Sequence, residues 1–257
     1  SSGIITATGG VYGAGIGGGD GGTASNITIS GGTITATGGN NGAGIGGGYY
    51  GEGNDITISG GTVTATSIAA GKDGSTGAGI GGGYAGMGND ITISGGTVTA
   101  TSIAVGDDGS TGAGIGGGFA GMGNNITISG GTVTAISSVT GEYSCAGAGI
   151  GGGYSREGNN ITISGGTVTA LSTADEALYE GYGIGSGWGA NDSTPMVTGG
   201  NIKVNKLCGI QGKDGNEPYE AYLARADLLP LAGKNAALGN PVLQTYNKKT
   251  GETKTLS

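Results

Sequence analysis

The chain has 257 residues, 67 of them glycine, with 1 Phe, 1 Trp, 4 Pro, no His and a net charge of −8. So few large aromatic side chains would starve a globular core of this length. Glycine at this density removes helix stability everywhere, yet lacks the strict every-third spacing of collagen. Residues 1–200 carry 13 acidic and 2 basic side chains, against 5 and 8 in residues 201–257; the acidic part is ill-suited to nucleic acid or to anionic membranes, which need Lys or Arg.

The chain opens inside an alternating segment, Ile5-Thr6-Ala7-Thr8, and then reaches the first of a series of GAGIGGG strings. These have their isoleucine at Ile16, Ile45, Ile80, Ile115 and Ile150, with a degenerate copy at Ile184, so the intervals are 29, 35, 35, 35 and 34 residues. Each string is followed by ITIS, starting at Ile27, Ile56, Ile91, Ile126 and Ile161, and by T-V/I-T-A around Ile34, Val63, Val98, Val133 and Val168. A fixed period of this size marks a repeat array. Within a repeat the apolar residues alternate with Thr, Ser or Gly, which describes half-buried strands. Three strands per repeat, separated by glycine turns, predict an all-β, right-handed parallel β-helix of about six three-strand coils over residues 1–200.

The connections entering the first two coils are short, Gly9–Tyr12 and Gly38–Asn41. Those entering the next three lengthen to Ser67–Thr76, Ser102–Thr111 and Ser137–Ala146. Insertions at one place in the repeat are expected to emerge as loops along one edge, carrying Lys72, Asp73, Asp107, Asp108 and Glu142. Beyond Leu171 the pattern decays. Residues 201–257 are expected to form a small β-rich cap, with two or three strands over Pro218–Ser257 or a helix at Tyr219–Leu229. Cys145 and Cys208 would suit one disulfide in an oxidising compartment or stand as two separate thiols. The start inside a third strand predicts a piece of a larger, multi-module protein. No apolar run is long enough to span a membrane.

Four sets of side chains could carry function. An aromatic residue follows each glycine string: Tyr49, Tyr84, Phe119, Tyr154 and Trp188. Stacked coils would bring them into one ladder, whose aromatic faces suit sugar rings; at ~4.8 Å spacing the inner rings are expected to cover one another, leaving Tyr154 and Trp188 at the end better placed to bind. Polar pairs precede ITIS: Asn54-Asp55, Asn89-Asp90, Asn124-Asn125 and Asn159-Asn160. They suit turn and ladder hydrogen bonding better than the carboxylate pair of a glycosidase, because Asn125 and Asn160 replace the acids. The loop carboxylates, above all Asp107 and Asp108, could offer oxygens to calcium, although the nonapeptide series of calcium-binding β-rolls is missing. Outward threonines form columns, Thr33 to Thr167, Thr6 to Thr169 and Thr8 to Thr101, the last broken by Ile136 and Leu171, as on some ice-binding solenoids, although Thr is in any case a favoured strand residue.

The strings GAGIGGG, ITISGG and GTVTAT resemble the glycine-rich β-helix repeats of large surface proteins from Gram-positive gut bacteria, often described as carbohydrate-binding or adhesin-like. The resemblance covers residues 1 to about 190 and implies an extracellular, cell-surface or cell-wall location. No nucleophile elbow, phosphate loop or zinc spacing appears, and no histidine is available as a base. The expected function is a non-catalytic module for adhesion or display, directed at a glycan or other surface ligand through Tyr49, Tyr84, Phe119, Tyr154, Trp188, Asp73, Asp107 and Asp108. It would need no cofactor except possible calcium. An ice binder, a passive stalk and, further back, a polysaccharide-cleaving enzyme are the alternatives.

Overall fold

The computed structural model describes residues 3–174, 179–205, 242–246 and 253–256 and shows a parallel β-solenoid. The two-residue strands Ile16–Gly17, Ile45–Gly46, Ile80–Gly81, Ile115–Gly116, Ile150–Gly151 and Ile184–Gly185 stack in register as one sheet. The ITIS and TVTAT rows make the larger sheet. They are continuous through Gly53–Ala70 and separate into Gly88–Ile93 and Thr97–Val105 in the next coil. Strands are longest in four turns, those begun by Ile16, Ile45, Ile80 and Ile115. The strands shorten toward the C-terminal end: Gly158–Asn159, Thr162–Ile163 and Thr167–Thr173 follow Ile150, and only Met196–Val197 and Asn201–Val204 follow Ile184. The expected number of about six coils therefore holds for the glycine strings but overstates the complete turns.

Alternation decides what lies inside. Ile91, Ile93, Val98 and Ala100 are fully buried, while Thr92, Thr97, Thr99 and Thr101 between and beside them point outward. Their counterparts in the neighbouring coils join them in one apolar column with Ile80, Ile115 and Ile150. Removing each isoleucine side chain from water contributes roughly 2 kcal/mol. The glycines set how closely the coils approach. A Cβ on Gly118 would lie 1.7 Å from the carbonyl oxygen of Gly83, and Gly81 holds a φ of +132°, open to glycine but rarely to other residues.

The long connections differ from the loops expected of them. Strands continue to Ala70, Val105 and Thr140, so only tight turns around Gly71–Gly74 and its counterparts emerge. Ser67, Ser102 and Ser137 sit fully buried. Ser102 Oγ donates to the Gly77 carbonyl at 2.9 Å and lies 2.6 Å from Thr76 Oγ1; Ser137 repeats this with Gly112 and Thr111. Alternation simply persists past TVTAT with small inward residues. Ala104 and Val139 then join Ala146 and Ala174 in a second, smaller core.

At the C-terminal end Asn201–Val204 pairs in register with Thr167–Ala170. Val242–Tyr246 adds parallel to it and Thr253–Leu256 adds antiparallel. Cys208, the Tyr219–Leu229 segment and most of the expected cap lie outside the described residues. Cys145 is a buried free thiol, whose pKa burial raises. No helix among the described residues is long and apolar enough to cross a membrane.

Candidate functional site

Each aromatic residue sits on the turn after a glycine string, and the backbone fixes that turn against an earlier connection. The amides of Tyr49, Tyr84, Phe119, Tyr154 and Trp188 donate to the carbonyls of Tyr12, Asn41, Thr76, Thr111 and Ala146. The rings consequently form a column. Centroids are 5.3 Å apart for Tyr49 and Tyr84, 4.9 Å for Tyr84 and Phe119, 5.3 Å for Phe119 and Tyr154, and 5.8 Å for Tyr154 and Trp188. The planes become more parallel along the stack, from 43° through 29° and 16° to 6°. Ring faces in the upper column are thus occupied by other rings, and the side chains are half-buried.

The two ends of the column differ from expectation. Trp188 is not a bare terminus, because Tyr179 packs edge-on against it at 5.3 Å and 68°. At the opposite end Tyr12 lies 5.1 Å from Tyr49, and Tyr50 lies 4.0 Å from Tyr49 and perpendicular to Tyr84. Tyr50 is 60% exposed and Tyr12 42% exposed. The exposed rings of the column are therefore Tyr12 and Tyr50, which flank the half-buried Tyr49 and Tyr84 at the end away from Tyr154 and Trp188. Tyr12, Tyr50 and Tyr179 were missed by a search for one aromatic per repeat; the Tyr49-Tyr50 doublet was the available signal. Tyr49 Oη donates to Tyr50 Oη at 3.0 Å. That bond, then desolvation and the neighbouring phenols, pushes the Tyr49 pKa up to about 12; burial, then Tyr50, raises that of Tyr84.

The polar pairs form hydrogen-bonded ladders. Asn89 Nδ2 donates to Asn54 Oδ1 at 2.9 Å, Asn124 to Asn89 at 2.9 Å, and Asn159 to Asn124 at 3.2 Å. A second row runs from Asn160 to Asn125 to Asp90. Asp55, Asp90, Asn125 and Asn160 all adopt φ between 52° and 55°, the left-handed region that Asn and Asp tolerate best. These residues serve turn geometry in each of these four coils.

The loop carboxylates are tied to the turns that carry them. Asp73 and Asp108 hold left-handed φ, and Tyr143 takes the same position one coil on. The Glu142 amide donates to Asp107 Oδ1 at 3.1 Å, and Lys72 Nζ lies 3.7 Å from Asp108 Oδ2 in an exposed ion pair. Among the described residues no three His, Cys, Asp or Glu side chains come together as a metal-binding group. The threonines do align: Thr62, Thr97, Thr132 and Thr167 pair in register, as do Thr64, Thr99, Thr134 and Thr169. The third column stops at Thr101, beside Ile136 and Leu171.

A family model described as a beta helix repeat matches residues 1–20, 27–49, 56–84, 91–119, 126–154 and 161–188. From the second segment onward, each match starts at the first isoleucine of ITIS and ends on the column aromatic, Tyr49, Tyr84, Phe119, Tyr154 or Trp188. Comparison with curated proteins and with solved structures gave no match.

Proposed function

The chain belongs to the beta-helix repeat family, and on that premise we propose that it is a non-catalytic module for adhesion or display at a cell surface, with a glycan as its ligand. The observation that carries this reading is the aromatic column, which runs unbroken across the coils and opens to solvent at Tyr12 and Tyr50. Aromatic rings bearing hydroxyls offer an apolar face and a hydrogen-bonding tip, the combination that sugars require. The coils are held by parallel backbone ladders, so little ordering entropy is lost on binding and modest contacts suffice.

The absence of histidine and the use of Asp55 and Asp90 in turns support a binding role over glycosidic cleavage. The threonine columns support ice binding less well, since one of the three is broken by Ile136 and Leu171 and the Thr64-to-Thr169 column is only half-exposed. A glycan array probed with the intact chain, with and without calcium, tests the proposal. Reproducible hits are expected. An array empty under both conditions would leave the module a spacer and the column mere packing.

A further inference from the structure

We infer that the four-tyrosine end of the column, Tyr12, Tyr49, Tyr50 and Tyr84, is the ligand subsite, and that it selects amine-bearing, cationic glycans. This rests on the glycan reading above and adds a location and a charge to it.

Three independent observations converge there. The first is exposure, since Tyr50 and Tyr12 stand open while the rings toward Trp188 are stacked face to face and met by Tyr179. The second is the residue itself. Tyr50 holds φ 60° at a position filled in the other coils by Gly21, Ala85, Ala120, Ser155 and Gly189, of which Ser155 also holds a left-handed φ, 56°. Tyr50 is thus the one large side chain at this position of the repeat, and it stands exposed beside Tyr49 and Tyr84. The third is charge. Residues 1–71 contain no Lys or Arg but do contain Asp20, Glu52 and Asp55. Asp20 occupies the turn position that the column aromatics occupy in later coils, and its turn is bonded directly beneath Tyr49 through the Gly21 amide and the Tyr49 carbonyl at 2.9 Å. Glu52 follows Tyr50 on the same turn and accepts from Asn54 Nδ2 at 3.0 Å. The upper end instead carries Arg156, which donates to the Ala120 carbonyl at 2.9 Å.

Phenol faces beside uncompensated carboxylates attract an ammonium group through the ring quadrupole and through Coulomb attraction. A protonated amino sugar presents that group on an apolar ring, whereas an N-acetylated sugar lacks the charge and a uronic acid is repelled.

Isothermal titration of the intact chain with a glucosamine hexamer and with its N-acetylated counterpart tests this, at low and high salt. The glucosamine hexamer is expected to bind on the order of tenfold more tightly, with the difference shrinking as salt rises. Tyr50→Ala should weaken it about fivefold while Tyr50→Phe retains affinity, because the ring and not the hydroxyl faces the amine. Thermal melts of both variants confirm that the solenoid persists. Asp20→Asn with Glu52→Gln should weaken binding and flatten its salt dependence. Equal affinity for the two hexamers overturns the charge selection yet leaves glycan binding standing. Binding insensitive to Tyr50→Ala but lost in Trp188→Ala moves the ligand to the other end and overturns the location. If neither hexamer binds while the array reports other sugars, this inference falls alone; an empty array removes both.

Discussion

Gly118 illustrates how strictly single positions are determined. A methyl group there would meet the Gly83 carbonyl oxygen at 1.7 Å, far inside contact distance, and both partners are backbone, so no side chain can move aside. Gly118→Ala should therefore cost at least ~3 kcal/mol through forced separation of the coils. Gly10→Ala is the matching control, because nothing lies within 4 Å of its added Cβ; thermal melts should show a large loss for the first and little change for the second. If Gly118→Ala melts like Gly10→Ala, the close stacking is wrong. The same scale explains the polar residues. Asp90 and Asn125 are interchangeable because the turn asks for left-handed φ and a hydrogen-bonding side chain, and both residues supply them. Ser137 and Thr111 show that a buried hydroxyl is tolerated inside the solenoid when it finds a partner, here at 2.5 Å.

A coil is the element of this fold, and its integrity depends on the apolar column that crosses it. Ile115 is fully buried between Ile80 and Ile150, its registered partners above and below. Ile115→Asp would place a carboxylate in that dry column, at an expected cost of ~4 kcal/mol or more, whereas Ile115→Val should cost about 1 kcal/mol. Chemical denaturation of both variants checks the order, and equal midpoints would show that the isoleucine does not face the core. The third strand shows where element-level pattern reading stopped short. Thr97 to Thr101 was legible because β-branched residues alternate with Val98 and Ala100. Its continuation to Val105 was not, because Ser102 and Ala104 point inward without looking like core residues. Buried serine becomes acceptable only once the Gly77 carbonyl and Thr76 are alongside it.

Across the whole molecule the coils contact chiefly their neighbours, so stability should be close to a sum of coils and interfaces. Excising residues 91–125 joins Asp90 to Ile126 and brings Asp90 into the place of Asn125, whose φ is the same 55°. The shortened chain is expected to keep its β-sheet circular dichroism and a cooperative melt, with an unfolding enthalpy reduced in proportion to length. Loss of the folded state would show that the coils are not interchangeable.

The sequence by itself determined the repeat, the three strands of each turn, the inward isoleucines and the existence of an aromatic column. All of these follow from alternation within a strand and from a constant period, and both are local or simply additive. Tertiary structure alone decided which end of that column is open. Tyr12 comes from the connection before the first glycine string, Tyr50 is a second ring on the Tyr49 turn, and Tyr179 reaches Trp188 from the preceding connection. The ends of a stack break its symmetry, so what they expose depends on the particular side chains that fold over them and not on the pattern that built the stack.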